Sequence, residues 1–194
     1  AVKTPDGKNG TTYDAAPYDG YEQVEELGRG IAKIRPTNYG QYALWKNCGA
    51  DLRHNENNWY DISRLTYNRP ASKGGSATYF GKPVERKFVS DTMRCYFSFP
   101  TVKVLIYKDD LNKGKAPAGG FTDQYVFRLA ETYLMRAEAN YWLGNIPAAT
   151  SDVNEIRKRA KAPELSTVSL DDILDERGRE LYIEEHRKVE LTRI

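Results

Sequence analysis

Apolar side chains recur every three or four residues in the last third of the chain, which is typical of amphipathic helices. Between Gln124 and Leu143 the recurring positions are Phe127, Ala130, Leu134, Ala137 and Tyr141. The pattern predicts a first helix over that range.

Turn signals then divide the C-terminal part into three helices. Gly144 supplies the left-handed residue that ends the first helix, and Pro147 suits the first turn of a second helix that runs to about Ala162. Ser169 and Asp172 have the spacing of a capping box, which predicts the start of a third helix. Its apolar stripe is Leu170, Ile173, Leu174 and Leu181.

Small residues surround the turn between the first two helices, where antiparallel helices must approach closely. They are Ala137, Ala139, Gly144, Ala148 and Ala149, and they fit a tetratricopeptide pattern. A single unit of this kind cannot bury its own face, so we expect it to pack on the loop-rich region or on further repeats. The predicted fold class is mainly α, an alpha-alpha superhelix type of scaffold with a long loop-rich insertion and a few short strands.

Residues 1–122 differ in composition from the helical part, because they contain every glycine except Gly144 and Gly178. Turn pairs split this part into short apolar patches, and the best strand candidate is the β-branched run at residues 103–107. Loops of this length normally serve a function. We expect one domain fragment over residues 1–194, with a ligand-facing region at 1–122 and a helical scaffold at 123–194.

Charge and composition exclude several classes of function. The 194 residues include 29 basic and 27 acidic side chains, for a formal net charge of +2, and no basic stripe predicts nucleic-acid binding. No apolar run is long enough to span a membrane. The N-terminal stretch has no signal peptide and the C-terminus stops within a helical pattern, so we expect a fragment of a longer protein.

Catalytic, metal and cofactor chemistry finds little support in the sequence. The two histidines, His54 and His186, have no nucleophile elbow to complete a triad. Glu176, Glu180 and Glu184 share a helix face, but interleaved arginines favour an ion-pair network over a glycosidase pair. We predict no catalytic residues, no metal site and no cofactor.

Two cysteines, Cys48 and Cys95, lack the spacing of a zinc site. Two separate buried thiols are favoured over a disulfide, which the sequence leaves open.

Aromatic residues are abundant, with 14 Tyr, 3 Trp and 6 Phe. Many lie in the Gly- and Asn-rich loops beside amides and charged side chains, a combination that suits stacking on the C–H face of a sugar and hydrogen bonds to its hydroxyls. The alternative is that most of these rings form the core of a loop-rich fold. The predicted ligand-binding residues are Trp45, Asn58, Trp59, Tyr60, Arg64 and Tyr67.

Several motifs in order resemble the SusD/RagB family of nutrient-binding outer-membrane lipoproteins of the Bacteroidetes. The matching residues are Asp51 to Arg53, then Arg128, Ala130 and Glu131, then Ala137 to Ala139, then Leu143 to Asn145, then Asn154, Arg157, Arg159 and Ala160, then Glu176, Arg177, Glu180, Leu181 and Arg187. Each motif alone is loose, but the ordered set is specific and extends over nearly the whole chain.

The resemblance implies a tetratricopeptide-like scaffold whose loops bind a glycan or a peptide. The bound nutrient would pass to a SusC-like TonB-dependent transporter, at the extracellular face of the outer membrane, with a lipid anchor as the membrane attachment. Shared charged residues would tie the helices together; they are Arg128, Glu131, Arg157, Glu176, Glu180 and Arg187. The competing interpretation is a tetratricopeptide-like protein-interaction module with no small ligand. Exposed Trp45 and Trp59 would favour sugar binding, and burial of both would favour the interaction module.

Overall fold

The computed structural model describes residues 3–10, 37–59, 66–85, 101, 103 and 125–194. The chain forms two compact units. The first, called the loop unit here, comprises Ala1–Pro36 and Glu56–Thr122, and the second, the helical unit, comprises Thr37–Asn55 and Asp123–Ile194.

The described residues are mainly helical, which confirms the predicted fold class. The α-helices are α1 (Asn38–Gln41), α2 (Leu129–Trp142), α3 (Ile146–Arg159), α4 (Leu170–Glu180) and α5 (Arg187–Arg193), with 3-10 turns at Ala43–Trp45, Leu52–His54 and Ala71–Lys73. Extended structure among the described residues consists of isolated bridges, such as Trp59 with Thr101 and Thr66 with Pro83. The predicted strand at 103–107 lies outside the described residues except for Lys103.

The α2–α3 hairpin forms at the predicted turn. Gly144 has a φ of +75°, and the side chain of Asn145 caps α3 by accepting from the Ala148 N–H. Ala137 and Ala149 are fully buried where the two helices pack together. The first helix begins at Leu129, five residues later than predicted, because Arg128 has an extended backbone with φ −133° and ψ 150°.

Phe127, which the pattern had placed on the buried face, therefore precedes α2 and is 84% exposed. The core of the helical unit is nevertheless the apolar set that the spacing indicates. Its buried members are Ala130, Leu134, Ala137, Ala149, Val153, Ile156, Val168, Ile173 and Leu181.

The third helix begins where the capping box predicts. The Ser169 hydroxyl accepts from the Asp172 N–H, and the Asp172 carboxylate accepts from the Ser169 N–H. The helix ends at Glu180, and Ile183 adopts a left-handed backbone with φ +69° before α5 begins at Arg187. The described residues contain no helix long and apolar enough to span a bilayer.

Residues 37–55 fold with the helices, although their sequence is irregular. The Leu52 N–H donates to the Ala160 carbonyl over 2.8 Å, at the C-terminus of α3. The Arg179 guanidinium of α4 donates to the Leu44 carbonyl, also over 2.8 Å. This segment is consequently fixed to α3 and α4 through its backbone.

Candidate functional site

Trp45, a predicted ligand contact, lies in the interior of the helical unit. Its side chain is only 8% exposed, because the indole stacks on His54 at a centroid separation of 4.8 Å and meets the edge of Tyr182. The indole N–H donates to the Gly40 carbonyl over 3.1 Å. The ring thus packs the 37–55 segment onto the helices, and no broad face of it is open to a sugar.

Trp59 and Tyr67, in the loop unit, are also buried. Trp59 is 7% exposed and Tyr67 is 1% exposed. The Tyr67 ring packs edge-on against Tyr79 at 6.3 Å, and its hydroxyl accepts from the Glu85 N–H. Both rings contribute to packing, as the core interpretation of the aromatics requires.

Asn58 is the one exposed residue among the predicted contacts that the structure describes. Tyr60 and Arg64 lie outside the described residues. Ligand binding by this set stays a prediction, and of its described members Asn58 alone presents its side chain to solvent.

The sequence-based choice passed over exposed rings that the structure reveals. Tyr39 on α1 and Tyr42 directly after it are each 45% exposed, and Phe80 in the loop unit is 54% exposed. Burial and the hydrogen bond that the Tyr39 hydroxyl donates to the Asp175 carboxylate raise the pKa of that phenol to about 12.

Beneath α1 lies a buried network of arginines and glutamates centred on α4. Glu176 is fully buried, and its carboxylate contacts Arg53 at 2.7 Å, Arg157 at 2.8 Å and Arg179 at 3.1 Å. Arg53 also pairs with Asp51 at 2.6 Å. One carboxylate therefore joins the 37–55 segment to α3 and α4.

Glu180, one turn later, has the same role toward α2. Its carboxylate contacts Arg53 at 3.1 Å, Arg128 at 2.8 Å and Arg159 at 2.5 Å, and its side chain is 1% exposed. Arg128 also forms an ion pair with Glu184 at 2.7 Å. These contacts confirm the predicted ion-pair role of Glu176, Glu180 and Glu184, but α4 ends at Glu180, so Glu184 does not share a helix face with the other two.

The electrostatics of Glu180 follow from this coordination. Burial acts to raise the pKa of its carboxyl, but the hydrogen bond from Arg128 and the charges of Arg159 and Arg53 together outweigh it, and the pKa is lowered. A carboxylate held ionised in this way is a poor general acid near neutral pH.

A cavity of about 270 Å³ lies beside this network in the helical unit. It is lined by Tyr125, Val126, Arg128, Glu131, Arg177, Leu181, Glu184, Glu185, His186, Val189 and Glu190. The residues before α2 form one wall with Tyr125, and α5 forms another with Val189. The lining contains four carboxylates and two guanidinium groups.

Arg177 and Glu185 form the most buried part of the lining. The Arg177 Nε donates to Glu185, and the two side chains are 3% and 9% exposed. Arg177 also lies 3.7 Å from Glu131 and 3.6 Å from Glu190. Burial raises the pKa of the Glu185 carboxyl despite the opposing charge of Arg177.

Metal ligation has no site in the part of the chain that the structure describes, since no group of three or more His, Cys, Asp or Glu side chains is placed to hold an ion. Cys48 is a buried free thiol whose pKa is raised by burial. Cys95 lies outside the described residues.

Comparison with known proteins adds two findings. The model of the SusD family matches residues 5–194. The starch-binding protein SusD of Bacteroides thetaiotaomicron is 47% identical over 73 residues, which are 37% of this chain and 13% of that protein. The aligned segment thus spans a small part of the relative's length.

Glu180→Ala is expected to destabilise the fold strongly. The substitution leaves Arg53 and Arg128 partly buried without their shared carboxylate, and breaking a buried pair in this way costs about 3–5 kcal/mol. Arg157→Ala, which strips Glu176 of one partner, should act in the same direction. Chemical denaturation and thermal melting measure the effect.

Lys158→Ala is the matched control for Glu180→Ala. Lys158 is an exposed charged residue of α3, so its loss should change the melting temperature little. A wild-type melting temperature for Glu180→Ala would contradict the structural role of the network.

Stability should depend on pH in two opposite ways. The pKa values of Glu180 and Glu138 are lowered in the folded state, the latter chiefly by the hydrogen bond from Arg193. Their contribution is fully present above about pH 4.5 and is lost as the pH falls through the folded values. The pKa of Glu185 is raised, so its protonation adds stability as the pH falls from that raised value toward about 4.5.

Glu185→Gln separates these two effects. The denaturant midpoint of this variant, measured from pH 8 to pH 3, should no longer rise on mild acidification. It should still fall at lower pH. An unchanged rise in the variant would show that Glu185 is not its source.

Proposed function

Since the chain belongs to the SusD family, we propose that it is a non-catalytic, cell-surface protein that binds a glycan or another nutrient and delivers it to a SusC-like TonB-dependent transporter. The observation that carries the proposal is the family match over residues 5–194. The name of the starch-binding relative favours a glycan over a peptide as the first ligand to test. The expected location is the extracellular face of the outer membrane, as a lipoprotein.

A binding role without catalysis is supported by the state of the α4 carboxylates. A glycosidase needs one carboxyl that donates a proton and a second that faces the sugar. Glu176 and Glu180 are each surrounded by three arginines and are buried. They serve the scaffold and have no access to a substrate.

Within the loops, the exposed predicted contact Asn58 is the candidate that can be tested against the structure. Tyr60 and Arg64 complete the proposed site from the sequence. Trp45 packs against His54 within the helical unit. The burial of Trp45, Trp59 and Tyr67 gives them a supporting role.

The competing function, a protein-interaction module, has two observations in its favour. Trp45 and Trp59, whose burial would favour the interaction module, are both buried. In addition, large apolar side chains on and around α2 are exposed, with Leu129 at 70%, Trp142 at 62% and Leu143 at 82%. A family member that contacts a transporter needs a protein-binding surface as well, so this observation is compatible with both functions.

Asn58→Ala and Trp45→Phe should have opposite phenotypes. In affinity electrophoresis and calorimetry against starch, xylan, mannan and host glycans, we expect the wild-type chain to bind at least one glycan. Asn58→Ala should weaken that binding by about fivefold, the value of one lost hydrogen bond, and lower the melting temperature less than Trp45→Phe does. Trp45→Phe should lower the melting temperature and leave the affinity unchanged.

Absence of binding to every glycan by a folded chain would contradict the glycan part of the proposal. A loss of glycan affinity in Trp45→Phe at unchanged stability would indicate that the Trp45 ring contacts the ligand.

Transporter delivery is tested by crosslinking a tagged chain in its host cells. We expect recovery of a TonB-dependent transporter, with a lower yield for Leu129→Glu, because that side chain is exposed and a charge there opposes apolar contact. Lys188→Glu, an exposed charge change on α5, is the control. Gly7→Ala, in the loop unit, is unsuitable as a control, because Gly7 has a φ of +79°. Recovery of a different protein in place of a transporter would favour the interaction module.

A further inference from the structure

The helix α5 is attached to the helical unit without burying any of its own residues. None of its seven residues, all of which the structure describes, is buried, and its apolar side chains Val189 and Leu191 are 61% and 52% exposed. A helix this short is marginal in water, and most helices in proteins are stabilised by packing an apolar face. The attachment of α5 therefore depends on contacts of another kind.

Polar contacts hold α5 against α2 and α4. The Arg193 guanidinium donates to both carboxylate oxygens of Glu138 on α2, over 2.7 and 2.8 Å. Arg187 donates to the Leu174 carbonyl on α4 over 2.6 Å. The Arg193 side chain is 48% exposed, so dissolved ions can reach its pair with Glu138 and weaken it.

The connection between α4 and α5 contains a strained residue. Ile183 lies between the two helices and has a φ of +69°. A left-handed backbone is unfavourable for a side chain that branches at Cβ, and strain of this kind is typical of segments that switch between conformations. Relaxation of this φ to the usual negative range changes the direction of the chain that follows, and so moves α5 away from α4.

Polar atoms beneath α5 also favour its release. Nη1 of Arg177 and Oε2 of Glu185 are out of reach of solvent and have no hydrogen-bond partner in the described part of the chain. Arg177 lies 3.6 Å from Glu190 of α5, and all three residues line the cavity of about 270 Å³ that α5 bounds. Buried polar atoms without partners are unfavourable, so their hydration on opening offsets part of the loss of the contacts made by Arg193.

We propose that α5 is a salt-sensitive flap that swings about Ile183 and opens the cavity beneath it. In the closed state the pair between Arg193 and Glu138 holds the flap against α2. In the open state Ile183 relaxes and water reaches Arg177 and Glu185. Few contacts separate the two states, so ionic strength shifts the populations. This motion does not depend on the nutrient-binding function proposed above, and its test needs no ligand.

Hydrogen–deuterium exchange of the whole chain, read by mass spectrometry, tests the flap. Raising NaCl from about 0.05 M to about 0.5 M should speed exchange of the α5 amides about threefold, because the Debye length falls from about 14 Å to about 4 Å. The amides of α3, which is packed through buried Val153 and Ile156, should exchange at a nearly unchanged rate. No acceleration in α5, or equal acceleration in both helices, would overturn the flap.

Arg193→Ala and Lys188→Ala separate the ion pair from the net charge. Each variant removes one positive charge from α5, and Lys188 is exposed. Arg193→Ala deprives the buried Glu138 carboxylate of its guanidinium, so α5 should exchange about tenfold faster and lose most of its salt dependence. Lys188→Ala should change neither quantity. Equal effects of the two variants would show that Arg193 does not hold the flap closed.

Ile183→Asn and Ile183→Thr test the hinge. Both place a small polar side chain at a position that is 36% exposed. Asparagine tolerates a left-handed backbone, whereas threonine is branched at Cβ and keeps the strain. Exchange of α5 should therefore be about threefold slower in the Asn variant than in the Thr variant, because only asparagine favours the closed state. Equal rates would contradict the role of Ile183.

Thiol labelling measures whether the cavity opens with the flap. Leu181 lines the cavity and is buried. Iodoacetamide should label Leu181→Cys faster at about 0.5 M NaCl than at about 0.05 M, and faster still when Arg193→Ala is added. The buried thiol of Cys48, in the same unit, should keep its labelling rate and so reports on unfolding of the unit. Faster exchange of α5 without faster labelling at position 181 would show that the helix frays and the cavity stays closed, which would overturn the flap.

Discussion

Two carboxylates, those of Glu176 and Glu180, are buried in the helical unit, and its other elements are arranged to compensate them. Taking such a charge out of water costs several kcal/mol, and that cost is offset only when partners surround it with good geometry. Each carboxylate has three arginine partners. The arginines come from the 37–55 segment, the residue before α2, α3 and α4 itself, so displacing any of these segments exposes an uncompensated charge.

This constraint explains why an irregular segment forms part of the scaffold. Arg53 contacts both carboxylates, and Arg179 donates to the Leu44 carbonyl. With both ends of the segment held, Trp45 is enclosed between His54 and Tyr182. The segment is thereby fixed against the helices of its own unit.

Arg128 connects the same network to the cavity. It binds Glu180 and Glu184 and approaches the Tyr125 ring, while Arg177 and Glu185 line the cavity beside it. Charges that stabilise the fold thereby also line this cavity, which has four carboxylates and two guanidinium groups among its lining residues.

The sequence by itself determined the features that depend on neighbouring residues. The capping box at Ser169, the Gly144 turn and the apolar stripes follow from local geometry and helical periodicity, and the structure has them where the sequence indicated, apart from the exposed Phe127. The alternation of Glu and Arg along α4 indicated ion pairs, but only the tertiary structure decided their partners, because Arg53, Arg128, Arg157 and Arg159 come from other segments. Only the tertiary structure decided where α2 begins, because contacts of Arg128 with distant glutamates hold its backbone extended. Only the tertiary structure decided that Trp45, Trp59 and Tyr67 are interior, since an aromatic ring in a loop has the same sequence signature whether it faces a sugar or a core. The cavity likewise joins residues from before α2, the end of α4 and α5, and no spacing along the chain brings these three together.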